Sequence, residues 1–202
     1  MADARQQQPP QPTRLADYTP PPYRVDDVDL RFELGEEDTT VRARLAVRAN
    51  PEVAQPGELV LNGVDLELVR VAVDGRALAP EEYRAEAEAL VLPEVPAAFT
   101  LEVTTRIRPQ ENTALEGLYR SSGNFCTQCE PEGFRRITYF PDRSDVMARY
   151  TTTIVADAAR YPVLLANGNR IGAGTLADGR HWVQWEDPFP KPSYLFALVA
   201  GD

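Results

Sequence analysis

Apolar and polar residues alternate with a period of two over much of this chain, the mark of strands with one wet face. Val28, Leu30, Phe32 and Leu34 alternate with Asp29, Arg31 and Glu33. Val41, Ala43, Leu45 and Val47 alternate with arginines in the same way, and the intervening GEED predicts an antiparallel pair. The stretch ELVLNGVDLELVRVAVDGRAL holds two further strand-like runs. Asn62-Gly63 breaks the first, and Asp74-Gly75 supplies a hairpin turn after Val69, Val71 and Val73. EEYRAEAEALVL contains helix-favouring alanine and glutamate, but its shortness and bounding prolines predict a strand ending at Leu92. Phe99, Leu101, Val103, Thr105 and Ile107 alternate again. Further along, YTTTIVA, VLLANGN, HWVQWE and YLFALVA all read as strands. FPDRSDVMARY is the exception, with Asp142 or Ser144 as N-cap of a short helical turn. With no long amphipathic helix and no internal repeat, the pattern predicts an all-β fold, a mixed-sheet β-sandwich or saddle.

The first residues do not share this pattern. Residues 1–22 hold six prolines and three consecutive glutamines. They predict a flexible Pro/Gln-rich tail ending in a Pro20-Pro21-Pro22 spacer, ahead of one β-rich domain over 23–202. The chain stops on the apolar run YLFALVAGD, which reads as a cut at a domain boundary.

Composition narrows the function classes. Of 202 residues, 21 are Lys or Arg and 31 are Asp or Glu, giving a net charge of -10. Binding of nucleic acid needs a clustered basic surface, and Arg135-Arg136 is the largest such cluster here, so nucleic acid is excluded as a partner. No apolar run approaches the ~20 residues that span a bilayer, and the start has no apolar leader segment. Only two cysteines are present. These features predict a soluble cytoplasmic protein with reduced thiols.

The candidate chemistry lies in CTQCEPEGFRRITYF, residues 126–140. Cys126 and Cys129 form a C-x-x-C, open to reading as a metal knuckle, a redox pair or two plain thiols. A structural zinc site takes four ligands, and this chain offers no further cysteine and a single histidine, His181. A redox pair is expected to open a helix after a strand, whereas Pro131 and Gly133 follow closely here in a β context. The residues therefore favour plain, small, buried or half-buried thiols. His181, on a strand pattern between Arg180 and Trp182, reads as a packing or hydrogen-bonding residue. Glu130 and Glu132 flank Pro131; as paired carboxylates they could serve acid–base chemistry, and by composition they read as a solvated acidic loop.

The stretches NTALEGLYRSSGNFCTQCEPEGFRRITYFPDRSDVMARYTT and LLANGNRIGAGTLADGRHWVQWEDPFPKPSYLFALVAGD resemble the N-terminal domain of the M1 zinc metallopeptidases, the bacterial aminopeptidase N group. The resemblance runs from about Tyr23 to Asp202 and is dense after Glu111. It implies a β-rich saddle packed on a thermolysin-like catalytic domain that carries the zinc. It also implies that the Gln128-Cys129-Glu130 loop reaches the active site of that domain. Glu130 would grip the free α-ammonium of a peptide substrate, and Gln128 would line the pocket for its first side chain. The family's H-E-x-x-H and G-x-M-E-N motifs do not occur in this sequence. The resemblance thus predicts no catalytic residue, metal ligand or cofactor in this chain, which would be inert alone and partnered by the catalytic domain. The rival expectation is a stand-alone β-sandwich that binds another molecule.

Overall fold

The computed structural model describes residues 14–202, which form strands joined by tight turns. The first eight strands are β1 (Tyr23–Leu34), β2 (Thr39–Ala49), β3 (Leu59–Asn62), β4 (Glu67–Val73), β5 (Arg76–Ala77), β6 (Arg84–Ala85), β7 (Ala89–Leu92) and β8 (Ala98–Ile107). The remaining seven are β9 (Gly117–Ser121), β10 (Asn124–Gln128), β11 (Ala148–Asp157), β12 (Val163–Ala166), β13 (Asn169–Thr175), β14 (Arg180–Lys191) and β15 (Leu198–Gly201). Among the described residues the only helical elements are four three-residue 3-10 turns.

An eight-stranded sheet, ordered β13-β14-β11-β1-β2-β8-β4-β5, forms the body of the molecule. Its β1–β11 pair is parallel and the others are antiparallel, so the sheet is mixed. A four-stranded sheet (β12-β15-β10-β9) and a three-stranded sheet (β3-β7-β6) complete the fold. The all-β, mixed-sheet expectation holds. The alternation of β1 explains its place: Val28, Leu30, Phe32 and Leu34 are buried while Asp27 and Asp29 face water. Tyr23 and Val25 are also buried, one step out of phase. A β-bulge between Val25 and Asp27 absorbs the extra residue and keeps both halves facing the core. At the β4–β5 hairpin, Asp74 and Gly75 both adopt positive φ, as the tightest hairpin turns require.

The core between the sheets is aromatic at one end. Phe32 of β1 stacks on Phe196 with centroids 5.9 Å apart. Phe134 lies 5.3 Å from Phe196, 5.1 Å from Phe140 and 6.1 Å from Tyr150 of β11, edge to face each time. Such pairs add to the stabilisation that burial alone gives.

Two expected elements are corrected. The helical turn at FPDRSDVMARY does not form: residues 141–147 are an irregular segment with one two-residue turn, and β11 begins at Ala148. Asp142 caps nothing because its carboxylate is drawn into the interior by Arg135 and Ser193. YLFALVA is a strand only from Leu198 onward. The bend after Pro192 turns Ser193–Leu195 into a 3-10 turn and swings Phe196 into the aromatic cluster.

The tail expectation for residues 1–13 lies outside the described residues. Pro21 is buried and its carbonyl accepts from Asn50 Nδ2 at 2.8 Å, while Asn50 N donates to the Pro22 carbonyl at 2.9 Å. Pro21 and Pro22 are therefore fixed to the body of the fold.

Candidate functional site

β10 ends at Gln128, and the chain turns through Cys129, Glu130, Pro131 and Glu132 into the 3-10 turn Phe134–Arg136. The strand alternation carries into this loop. Gln128 and Glu130 are exposed, and Cys129 between them is only 3% exposed. Gly133 N donates to the Cys129 carbonyl at 2.8 Å and closes the turn. Position 133 must be glycine for the loop to fold this tightly. A Cβ there would sit 2.3 Å from the Gln128 carbonyl oxygen and 2.9 Å from the Gly117 nitrogen. Gln128 Nε2 donates to the Glu130 carbonyl at 3.3 Å, so the two sequence-predicted site residues are brought together on one surface.

Gln128, Glu130 and Glu132 line an open cleft of ≈ 870 Å³ together with Tyr18, Arg143 and Tyr194. Two smaller clefts, of ≈ 330 and ≈ 500 Å³, sit on charged faces elsewhere. Of the arginines that line them, Arg106, Arg136 and Arg149 have carboxylate partners.

The charges around the large cleft are unevenly satisfied. Arg143 is gripped by Asp145 at 2.6 and 2.8 Å. Arg135 pairs with Glu132 at 3.2 Å and with Asp142 at 3.1 Å. Glu130 has no ion-pair partner among the described residues, so its carboxylate is available to a visiting cation. The pattern-based reading did not single out the cluster beneath the loop. The Asp142 side chain is 1% exposed; it accepts from Arg135 N at 3.2 Å, from Arg135 Nε and from Ser193 Oγ. A buried carboxylate needs such donors on each oxygen. No local signal in FPDRSD identifies this role, because Ser193 lies 51 residues away.

The remaining sequence candidates fall into structural roles. His181 Nε2 donates to the Tyr161 carbonyl at 2.7 Å, as a packing histidine would. Cys126 and Cys129 are both free thiols. Burial, with the nearby Asp142 charge, pushes the Cys129 thiol up to about 12 from 9.0. The thiolate that redox or metal chemistry needs is therefore scarce at neutral pH. A thiol reagent at pH 7 should label half-buried Cys126 in the native chain and Cys129 only after unfolding. Equal labelling rates would place Cys129 outside the core. Because the folded-state value is raised, this thiol's contribution to stability is complete below pH ~9 and is lost progressively as pH rises toward 12.

Comparison with known proteins gives a consistent result. The family profile described as Peptidase M1 N-terminal domain matches residues 19–195. Aminopeptidase N of Caulobacter vibrioides is 54% identical over 193 residues, and that of Escherichia coli is 52% identical over 196. Each match covers 96% of this chain and 22% of the relative, so the chain spans about a fifth of the length of these curated relatives. Among solved structures, Legionella pneumophila aminopeptidase A in complex with aspartic acid superposes with a TM-score of 0.89 at 41% identity. That match covers 94% of this chain and 22% of the other. An M1 zinc metallopeptidase from Deinococcus radiodurans, bound to a Tyr-Ser-Ala substrate, shares the fold at a TM-score of 0.75 and 18% identity, over 89% of this chain and 42% of that one. The match over residues 19–195, the identity above half and the superposed sheets show that the chain belongs to the M1 peptidase family, as its N-terminal domain.

Proposed function

We propose that this chain is the amine-anchoring part of a zinc aminopeptidase that removes N-terminal residues from peptides. The observation that carries the reading is Glu130, an exposed carboxylate without an ion-pair partner among the described residues, on the lining of the ≈ 870 Å³ cleft. Beside it, the Gln128 amide faces the same space and would contact the first side chain of the substrate. An aminopeptidase must tell a chain end from internal sequence, and the α-ammonium is the feature that differs. A carboxylate meets that ammonium with charge-assisted hydrogen bonds. An internal peptide brings no compensating charge and leaves the acid desolvated and unpaired.

Among the described residues, no group of three or more His, Cys, Asp or Glu is placed to hold a metal, so the residues present do not fit a zinc site. The metal and the cutting step belong, in this reading, to a catalytic domain outside these 202 residues, and the N-terminal domain lends it Gln128 and Glu130. A bare apolar row supports such a neighbour. Leu165, Val199, Cys126 and Tyr119 sit in register across all four strands of the smaller sheet, where an antiparallel sheet facing water would carry polar residues. No helix among the described residues is long and apolar enough to cross a membrane. Two free thiols suit a reducing, cytoplasmic setting.

The test is Glu130→Ala in the full-length enzyme, assayed on an aminoacyl anilide. Capture of the free amine weakens, whereas an unchanged kcat/KM removes Glu130 from the site. The isolated chain should release no amino acid from the same anilide and hold no stoichiometric zinc. Metal-dependent turnover by these 202 residues alone would contradict the division of labour.

A further inference from the structure

Glu130 has no ion-pair partner among the described residues, and two arginines, Arg135 beside the loop and Arg143 on the cleft lining, are each held by other carboxylates. Arg143 is held by Asp145 through two hydrogen bonds and donates a third to the Thr19 carbonyl at 2.8 Å. Arg135 is the more consequential of the two, because it lies on the same turn as the loop. Its backbone N–H and its Nε both donate to Asp142 Oδ2, and its Nη2 donates to the Asp142 carbonyl at 3.2 Å. The same Nη2 lies 3.2 Å from Glu132 Oε2, so the guanidinium already touches the loop two residues beyond Glu130. Asp142 is in turn fixed from two other parts of the fold. Ser193 Oγ, from the bend before β15, donates to Oδ1, and Asp142 N donates to Asn62 Oδ1 at the end of β3.

We infer that Asp142 is a positioning residue for the amine site: it sequesters Arg135 so that the Glu130 carboxylate stays unpaired and available to the substrate's ammonium. The inference rests on the reading of Glu130 as the amine anchor. Asp142 itself never touches substrate. It is nearly sealed from water, and its bonds to Arg135 are directional, so they hold the guanidinium on the inner side of the loop. Without that charge, the arginine keeps Glu132 at 3.2 Å, on the same loop as Glu130, but loses its buried partner. The nearest unpaired carboxylate of the loop is then Glu130, and an arginine seated there competes directly with a substrate amine.

The test uses the full-length enzyme. Asp142→Asn preserves shape and the Ser193 contact while removing the charge. It should raise KM for a free-amine anilide about tenfold, the size of one lost charge-assisted contact, with kcat within about twofold. The decisive variant is the double substitution Asp142→Asn with Arg135→Gln, which removes the freed cation as well. It should return KM to near the wild-type value. Removing both members also relieves an unpaired buried charge, so the unfolding midpoint is read beside KM. A KM that rises in the single variant at an unchanged midpoint supports the inference, and a KM that merely follows a fallen midpoint assigns the effect to stability and overturns it. If the single variant fails to fold, the double variant still decides: a near-native KM supports the inference and a raised KM overturns it. An unchanged KM in a folded single variant also overturns it. Glu130→Ala, run beside these, separates the two ideas. If it lowers kcat/KM while Asp142→Asn leaves KM unmoved, only the positioning role falls. If Glu130→Ala is silent, the anchoring role and this inference fall together.

Discussion

Glu130→Ala in the full-length enzyme should lower kcat/KM for an unblocked aminoacyl substrate by about ten- to a hundredfold, the range spanned by one hydrogen bond to a charged group in a water-poor site. The effect depends on cover. In the isolated chain Glu130 is exposed, and an exposed ion pair contributes little because water screens it. Under the proposed catalytic domain, the same pair would lose that screening and strengthen. The loss should appear mainly in KM if the ammonium is gripped equally in the bound and reacting states. It should extend into kcat if the grip also sets the position of the scissile bond, since misplacement of a bound substrate slows the chemical step. Glu130→Gln keeps the size and one acceptor but not the charge, and should fall between wild type and alanine. Measured kcat/KM values that do not separate the three proteins would show that the ammonium is recognised elsewhere.

The parts of the fold that were legible in the sequence are those governed by local rules. The alternation in β1, β2 and β8 identified three central strands of the large sheet, because each buries one face only. Asp74-Gly75 announced its own hairpin through the positive φ that both residues tolerate. Failures occurred where distant residues overruled local preference. Asp142 has the side chain of a helix cap, yet Arg135 and Ser193, 7 and 51 residues away, offer its carboxylate better partners inside the fold. YLFALVA has strand composition throughout, yet the aromatic cluster claims Phe196 and bends the first half out of the sheet. The candidate site divides the same way. Gln-Cys-Glu is visible as a motif, and the out-in-out alternation of Gln128, Cys129 and Glu130 follows from continuing β10. Composition could not single out Glu130, which is one of 31 acids. Its place on the lining of a cleft, with no ion-pair partner among the described residues, emerges only from the folded chain.

The second large effect is on stability. Phe134→Ala should destabilise the chain by about 4 kcal/mol, within the range for truncating a buried aromatic. Phe134 is fully buried, and three aromatic rings converge on it, from β11, from the bend before β15 and from the segment after the loop. Alanine would leave a cavity bounded by parts of three different structural units, none of which can collapse into it without dragging its own sheet. A loss of this size is a large share of the roughly 5–15 kcal/mol that holds a typical domain together. Denaturant unfolding is the measurement, and the midpoint should fall while the slope stays constant, since the surface exposed on unfolding hardly changes. The same residue begins the 3-10 turn that carries Arg135, immediately after the Gly133 hydrogen bond that closes the loop. The aromatic cluster therefore supports the proposed amine-anchoring loop as well as the core, and a chain weakened there should lose loop order before it loses its sheets. Hydrogen exchange can order the two events: the Gly133 amide should lose protection in Phe134→Ala while β1 and β2 amides keep most of theirs. A destabilisation below about 1 kcal/mol would mean that the cluster repacks freely. In that case the loop takes its rigidity from its backbone hydrogen bonds and from Asp142 instead.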